Sequence, residues 1–211
     1  MGALTPVANG VAWAAKYRKE DRVVLSVFGD GASSQGVVHE AMNYASVFKL
    51  GVVFLCNNNR WAISTPVKEQ FAIENLADRA AAFGMPGLVV DGNDVLAVHR
   101  VMKEAVDRAR RGGGPTLIES KTYRPVPHSS DDDDRSYRSR EEVNEWKKRD
   151  PLLLFKAHLE SQGYLPAAVN DDYERKAVAE VDDAQKFAES APYPEIEWAL
   201  GPVYATEAHH A

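Results

Sequence analysis

Cysteine is almost missing from this chain. The 211 residues hold one, Cys56, so an intramolecular disulfide is excluded. It lies in the apolar run of residues 52–56 and reads as a small buried hydrophobe. No apolar run reaches the roughly 18 residues that a membrane-spanning helix needs. Basic runs are lacking too. The 25 Lys and Arg are scattered and outnumbered by 31 Asp and Glu, giving a net charge of −6, which argues against nucleic acid as the partner of the whole protein. Residues 1–9 carry no basic segment followed by an apolar one. The expectation is therefore no signal peptide and a cytoplasmic protein. No internal repeat is visible. A hydrophobic content of 45% suffices for one substantial core, or for one domain with a helical extension.

What is present is an alternation of strands and helices. Thr5-Pro6 opens an Ala- and Val-rich helix, with Thr5 expected as its N-cap and Pro6 in its first turn. Residues 23–28 are a short apolar, β-branched run, expected as a buried strand. Residues 33–48 follow with helical spacing of apolar residues, and residues 51–56 form a second apolar run. Strand, helix, strand within so short a span is a βαβ unit with parallel strands. Residues 88–90 and 116–122 read as further strands around an amphipathic helix that Gly112-Gly113-Gly114-Pro115 ends. The fold class is α/β, with a mainly parallel sheet flanked by helices and a helical C-terminal extension. The expected division is an α/β domain over residues 1–140 and the extension over residues 141–211. Between them runs a polar loop rich in Pro, Ser and Asp, and loops of that length are usually functional or disordered.

The chemistry concentrates in two motifs. Gly29-Asp30-Gly31 follows the first strand, and Asn58-Asn59 follows the second. Ligands of open parallel sheets bind outside the carboxyl ends of the strands, so both motifs are expected at one crevice. Mg²⁺ prefers a few oxygen ligands, often one or two carboxylates completed by phosphate and water. Asp30 offers a carboxylate and Asn59 a neutral amide oxygen, which adds a ligand without repelling phosphate. The flanking glycines admit an anion close to the backbone, and the next helix would aim its N-terminus at the same anion. Either motif alone is more simply a turn or a strand end. The pair, each placed directly after a buried strand, favours a diphosphate–metal site.

These motifs resemble the thiamine diphosphate fingerprint. Phe28-Gly29-Asp30-Gly31-Ala32-Ser33-Ser34-Gln35-Gly36, His39-Glu40-Ala41-Met42-Asn43 and Trp61-Ala62-Ile63-Ser64-Thr65-Pro66 are similar to the alpha subunit of the decarboxylating component of 2-oxo acid dehydrogenase complexes. The likeness runs on through residues 90–94, Ile118-Glu119 and the loop of residues 123–139, and so covers nearly the whole chain. The string His128-Ser129-Ser130-Asp131-Asp132 with Tyr137-Arg138, and the helix from Glu141 to Trp146, look closer to the branched-chain (2-oxoisovalerate) type than to the pyruvate type.

The resemblance implies thiamine diphosphate and Mg²⁺ as cofactors. It places the metal ligands on Asp30, Asn59 and the backbone carbonyl of Trp61. The cofactor-binding set it implies is Gly29, Asp30, Gly31, Ala32, Asn59, Arg124 and His128, with His128 as the catalytic acid/base, a role imidazole suits near neutral pH. Asp132, Tyr137 and Arg138 match the ordered part of the family's loop, and Ser129 and Ser139 match loop serines that are phosphorylated in its mitochondrial members. The implied partners are a beta subunit, in a pair of each, and a lipoyl-bearing acyltransferase that receives the acyl group after oxidative decarboxylation. The chain departs from the family in lacking the upstream stretch that supplies an aromatic–arginine diphosphate clamp, and in carrying Asn57 where many relatives have a basic or larger polar residue. The expectation is a chain that begins inside the family's domain: a fragment, a split or miscalled gene, or a degenerate paralogue.

Three functions compete: a catalytic half-site, another thiamine enzyme of transketolase or decarboxylase type, and a subunit that only binds partners. The loop of residues 128–138 argues against the second. The remaining histidines have plain readings. His39-Glu40 lacks a histidine at position 43 and is no zinc motif; His99 and His158 lie on helices; His209 and His210 belong to a solvated tail. Asp131 to Asp134 lack the glycine and distal glutamate of a calcium loop and read as a mobile acidic loop.

Overall fold

The computed structural model describes residues 2–201. His209 and His210 lie outside the described residues. In chain order the elements are α1 (Leu4–Tyr17), β1 (Val24–Gly29), α2 (Gly36–Val47), β2 (Val52–Asn58), β3 (Trp61–Ala62), β4 (Thr65–Pro66), α3 (Val67–Gln70), β5 (Gly87–Asp91), α4 (Val95–Arg110), β6 (Thr116–Lys121), α5 (Arg140–Lys147), α6 (Pro151–Ser161), α7 (Ala167–Ser190) and α8 (Ile196–Leu200). Short 3₁₀ segments cover Gly31–Ser34, Leu76–Phe83 and Asp134–Ser136. The chain divides into two compact units that part between His158 and Leu159.

The first unit is built on four parallel strands in the order β1-β2-β6-β5. Its two central strands are buried on both faces, which is why they read as unbroken apolar runs. Successive side chains of a strand point to opposite faces. On β2, Val52, Phe54 and Cys56 join Ala12 of α1 and Val38, Met42 and Ala45 of α2 in one core. Val53 and the partly buried Leu55 face α4 with Val90, Ile118 and Ala105. Each large side chain buried this way contributes about 1.5–3 kcal/mol. The outer strand β1 buries Ser26 and Phe28, whereas Leu25 and Val27 on its opposite face are exposed.

Several element boundaries differ from the sequence reading. Helix α1 begins at Leu4, so Thr5 lies inside it, and its hydroxyl donates to the Gly2 carbonyl at 2.6 Å instead of capping. Gly2 adopts a φ of +77°, which turns the chain back and brings that carbonyl within reach. The helix expected from residue 33 is split: a 3₁₀ turn, Gly31–Ser34, precedes α2 at Gly36. At Asp94 and Ser139 the capping logic holds in detail. Their side-chain oxygens accept from the N–H of Ala97 and Glu142 at 2.9 and 3.1 Å. The second unit holds α7 and α8, neither of which has a buried residue. Among the described residues no helix is long and apolar enough to cross a membrane.

Cys56 is fully buried, and burial pushes its thiol well above the ordinary range, with Asp30 and Glu119 adding to the shift. A thiol reagent at pH 8 is expected to leave the folded chain unlabelled and to label one site per chain in denaturant. Fast labelling of the native protein would contradict this packing.

Candidate functional site

The β1–β2 register pairs Gly29 with Asn57, so Asp30 and Asn59 leave the same end of adjacent strands, which lie about 4.8 Å apart. Asp30 is buried, with 1% of its surface exposed. It starts the 3₁₀ turn, and its carbonyl accepts from the N–H and hydroxyl of Ser33 at 3.1 and 2.5 Å. Arg79 donates to the carbonyl and hydroxyl oxygens of Ser33 at 2.8 and 3.1 Å, which cinches that turn from outside. Ala32 is buried beside it.

The two asparagines divide their work. Asn58 turns into the sheet, donating to Glu119 Oε1 at 2.7 Å and accepting from the Arg60 N–H at 3.1 Å. Asn59 bends the chain: its Oδ1 accepts from the Trp61 N–H at 3.1 Å. Two left-handed residues shape the β3–β4 hairpin that follows: Arg60 at φ +74° precedes it and Ile63 at φ +56° lies in its turn. Such left-handed residues cost of order 1–3 kcal/mol each and gather at ligand sites. The hairpin reaches back to the first motif. A Cβ on Gly31 would stand 2.6 Å from the Ala62 Cβ, so only glycine admits this approach. Gln70, at the end of α3, bonds to both Asp30 and Thr65.

The donors at this end of the sheet are one carboxyl, one amide and one carbonyl. That set matches a hard cation shared with phosphate oxygens, and it lacks the nitrogen and sulfur ligands zinc takes. Among the described residues no group of three or more His, Cys, Asp or Glu gathers, here or elsewhere. Gln70 occupies Asp30 Oδ2, while Oδ1 accepts from none of the described residues, so the carboxyl retains an oxygen for a cation.

Arg124 braces the loop. It donates to the carbonyls of Trp61 (3.3 Å), Ile63 (2.8 Å) and Val126 (3.2 Å), and to the Tyr137 hydroxyl (2.9 Å). Asp132 accepts from the Tyr137 hydroxyl and from the His128 N–H at 2.5 and 2.8 Å. His128, Ser129 and Ser130 are exposed at the loop's tip. Arg138, buried, donates to Asp134 Oδ2 through Nε and Nη2 at 2.9 and 2.6 Å, and to the carbonyls of Arg124 and Val126 at 2.5 and 2.9 Å. Arg140 takes the other Asp134 oxygen. The acidic run expected to be mobile is thus internally bonded, because each of Asp132, Asp133 and Asp134 has a nearby donor. Aromatic stacking adds to it. Tyr123 and Trp146 lie parallel at 5.2 Å between ring centres, with Arg138 over Tyr123 and Arg60 over Trp146.

The candidate residues do not all open into one cavity. Asn59 and Arg124 line a crevice of about 470 Å³ with Asn57, Asn93 and Thr122. Trp61 lines another of about 800 Å³ with Arg60, Lys121, Tyr137 and Trp146. Asp30 and His128 line neither, and Asp30 meets the Trp61 hairpin through Gly31 and Gln70. The sequence reading passed over Gln70 and gave Glu119 no role. Neither carries a local signal, since their partners lie 40 and 61 residues away. His39 packs on Phe83 at 5.9 Å between rings, a helix contact.

Four parallel strands flanked by helices make this an α/β protein. The chain belongs to the dehydrogenase E1 component family, whose model matches residues 1–197; the family is thiamine diphosphate-dependent. It is 51% identical over 200 residues to a protein of Bacillus subtilis named 2-oxoisovalerate dehydrogenase subunit alpha, an alignment covering 95% of this chain and 61% of that one. It is 45% identical over 191 residues to the pyruvate dehydrogenase E1 component subunit alpha of Acholeplasma laidlawii, covering 90% and 55%. It is 43% identical over 205 residues to the 3-methyl-2-oxobutanoate dehydrogenase subunit alpha of Mycobacterium tuberculosis, covering 97% and 56%. The chain thus spans little more than half the length of these relatives.

Two outcomes follow from the geometry. Glu119→Gln would set an amide NH₂ against either Asn58 Nδ2 or the Ala77 N–H, and should lower the unfolding free energy by about 1–3 kcal/mol in urea titration. Hydrogen bonds from Tyr137 and the His128 N–H hold the Asp132 carboxyl below its usual value. Burial opposes the same change at Asp134, but the bonds from Arg138 and Arg140 outweigh it. Both groups ionise more readily in the folded loop than in an unfolded chain. Their hold is complete above about pH 3.9 and fades as pH falls through the depressed values. Fluorescence of Trp61 and Trp146 should therefore stay level from about pH 7 to 5 and change only below about 3.9; a transition near pH 6 would contradict this.

Proposed function

We propose that this chain forms the diphosphate-anchoring half of a thiamine diphosphate site, as the alpha subunit of a 2-oxo acid dehydrogenase acting on a branched-chain 2-oxo acid. One observation carries the reading: a buried Asp30 with an oxygen to spare stands at the strand end beside the Asn59 turn. In this reading Asp30, Asn59 and the Trp61 carbonyl hold Mg²⁺. The backbone of Gly29, Gly31 and Ala32 lies close to the diphosphate, and Arg124 fixes the segment that carries the Trp61 carbonyl. When bound, thiamine diphosphate supplies the carbanion and electron sink needed to release carbon dioxide. His128, at the exposed loop tip, holds or moves a proton near the reacting centre. The Asp132 bond to its N–H fixes the backbone there.

Substrate and partners rest on the relatives. The 51% identity to the 2-oxoisovalerate relative supports the branched-chain substrate, while the pyruvate relative at 45% and the 3-methyl-2-oxobutanoate relative at 43% do not separate the two types. The alpha designation of these relatives supports a beta subunit as partner; a pair of each subunit and a lipoyl-bearing acyltransferase as acceptor complete the proposal. A second reading, a subunit that binds partners without catalysing, is favoured by Asp30 and His128 lining neither of the crevices that Trp61 and Asn59 line.

Thermal unfolding with thiamine diphosphate and Mg²⁺, with and without a co-expressed beta subunit, separates the two. At ligand about 100-fold above its Kd, the midpoint should rise by about 5–10 °C and only when Mg²⁺ is present. Asp30→Ala should abolish the rise and leave the circular dichroism spectrum unchanged. No rise in either preparation would favour the partner-only reading.

A further inference from the structure

Gln70 is held against the Asp30 carboxyl by an amide that cannot be turned over. Its Nε2 donates to Asp30 Oδ2 at 2.6 Å and to the Thr65 carbonyl at 3.0 Å. Both partners are acceptors. A reversed amide would press Oε1 against a carboxyl oxygen and a carbonyl together. The orientation adopted leaves Oε1 buried with no hydrogen-bond partner. Buried acceptors are nearly always satisfied, so this one marks a position where the donor end of the side chain is what the site retains. The bond engages one Asp30 oxygen, and no described residue engages the other. The Thr65 bond ties the same amide to β4, hence to the hairpin that begins with the Trp61 carbonyl.

We propose that Gln70 is a specificity-determining positioning residue: by occupying Oδ2 it limits Asp30 to one-oxygen coordination and so selects Mg²⁺ over Ca²⁺. The inference rests on the cation site proposed above. Mg²⁺ requires a near-ideal octahedron at about 2.0–2.1 Å, whereas Ca²⁺ accepts six to eight oxygens at about 2.3–2.6 Å and readily takes both oxygens of a carboxylate. A neutral donor on Oδ2 takes one of that oxygen's acceptor sites and holds the carboxyl's orientation, which disfavours two-oxygen coordination and leaves the negative charge in place. The anchor on Thr65 keeps the carboxyl from rotating toward a larger ion.

The test compares Mg²⁺ and Ca²⁺ titrations, by calorimetry with thiamine diphosphate present, on the full chain co-expressed with its beta subunit. Gln70→Met preserves bulk and removes the donor. Gln70→Glu is the second variant and removes the amide while keeping the shape. In both, the ratio of Mg²⁺ to Ca²⁺ affinity should fall about tenfold or more, mainly through tighter Ca²⁺ binding. A ratio unchanged in both, or two affinities that weaken in proportion, overturns the selectivity role. Asp30→Ala distinguishes the two levels. If it abolishes cation binding while the Gln70 variants keep the native ratio, only the selectivity inference fails. If Asp30→Ala retains native affinity, or the unmodified protein binds neither ion, the cation site itself fails.

Discussion

A carboxyl group without access to water must find donors, and Glu119 finds them on two other segments. It is fully buried in β6, and its oxygens accept from Asn58 of β2 at 2.7 Å and from the Ala77 N–H at 3.0 Å. Neither bond is local. Together they fix where β2 stops and how the segment after α3 crosses the sheet. Only because Asn58 is turned inward does Asn59 face the other way and start the bend that aims the Trp61 hairpin toward Gly31. Leaving such a group unpaired costs more than an ordinary hydrogen bond contributes, so the arrangement admits few alternatives.

The strand ends were legible in the sequence because the central strands of a parallel sheet are apolar on both faces. Val52, Val53, Phe54 and Leu55 form one unbroken run, and the polar residues that interrupt it mark the carboxyl end. What escaped acts at a distance. Strands of two residues, such as β3 and β4, are too short to show alternation. Gln70 sits in a polar stretch like any surface glutamine, and nothing nearby announces Asp30. The loop of residues 125–140 stood out by its composition. Its internal bonding did not, because Arg138 ties it together through the carbonyls of Arg124 and Val126, 14 and 12 residues back.

That loop combines charge with a small aromatic core, in which Tyr137 and Trp146 pack on Trp61, Tyr123 and Val143. Arg138 satisfies two backbone carbonyls and a carboxyl at once, and its cation lies 5.3 Å from the Tyr123 ring centre. Trp146 of α5 stacks on the same tyrosine and carries Arg60 from the opposite end of the site. The hairpin after Asn59, the loop and α5 therefore share one ladder of cations and rings. Trp146, far in sequence from Asn59, thus touches the strand-end hairpin through Arg60.

The outer strand β1 has a further implication. Leu25 and Val27 are exposed, no proline or charge interrupts the strand, and among the described residues β2 is its one strand neighbour. An edge of that kind accepts a further strand through main-chain hydrogen bonds, whether from the same protein or from another chain.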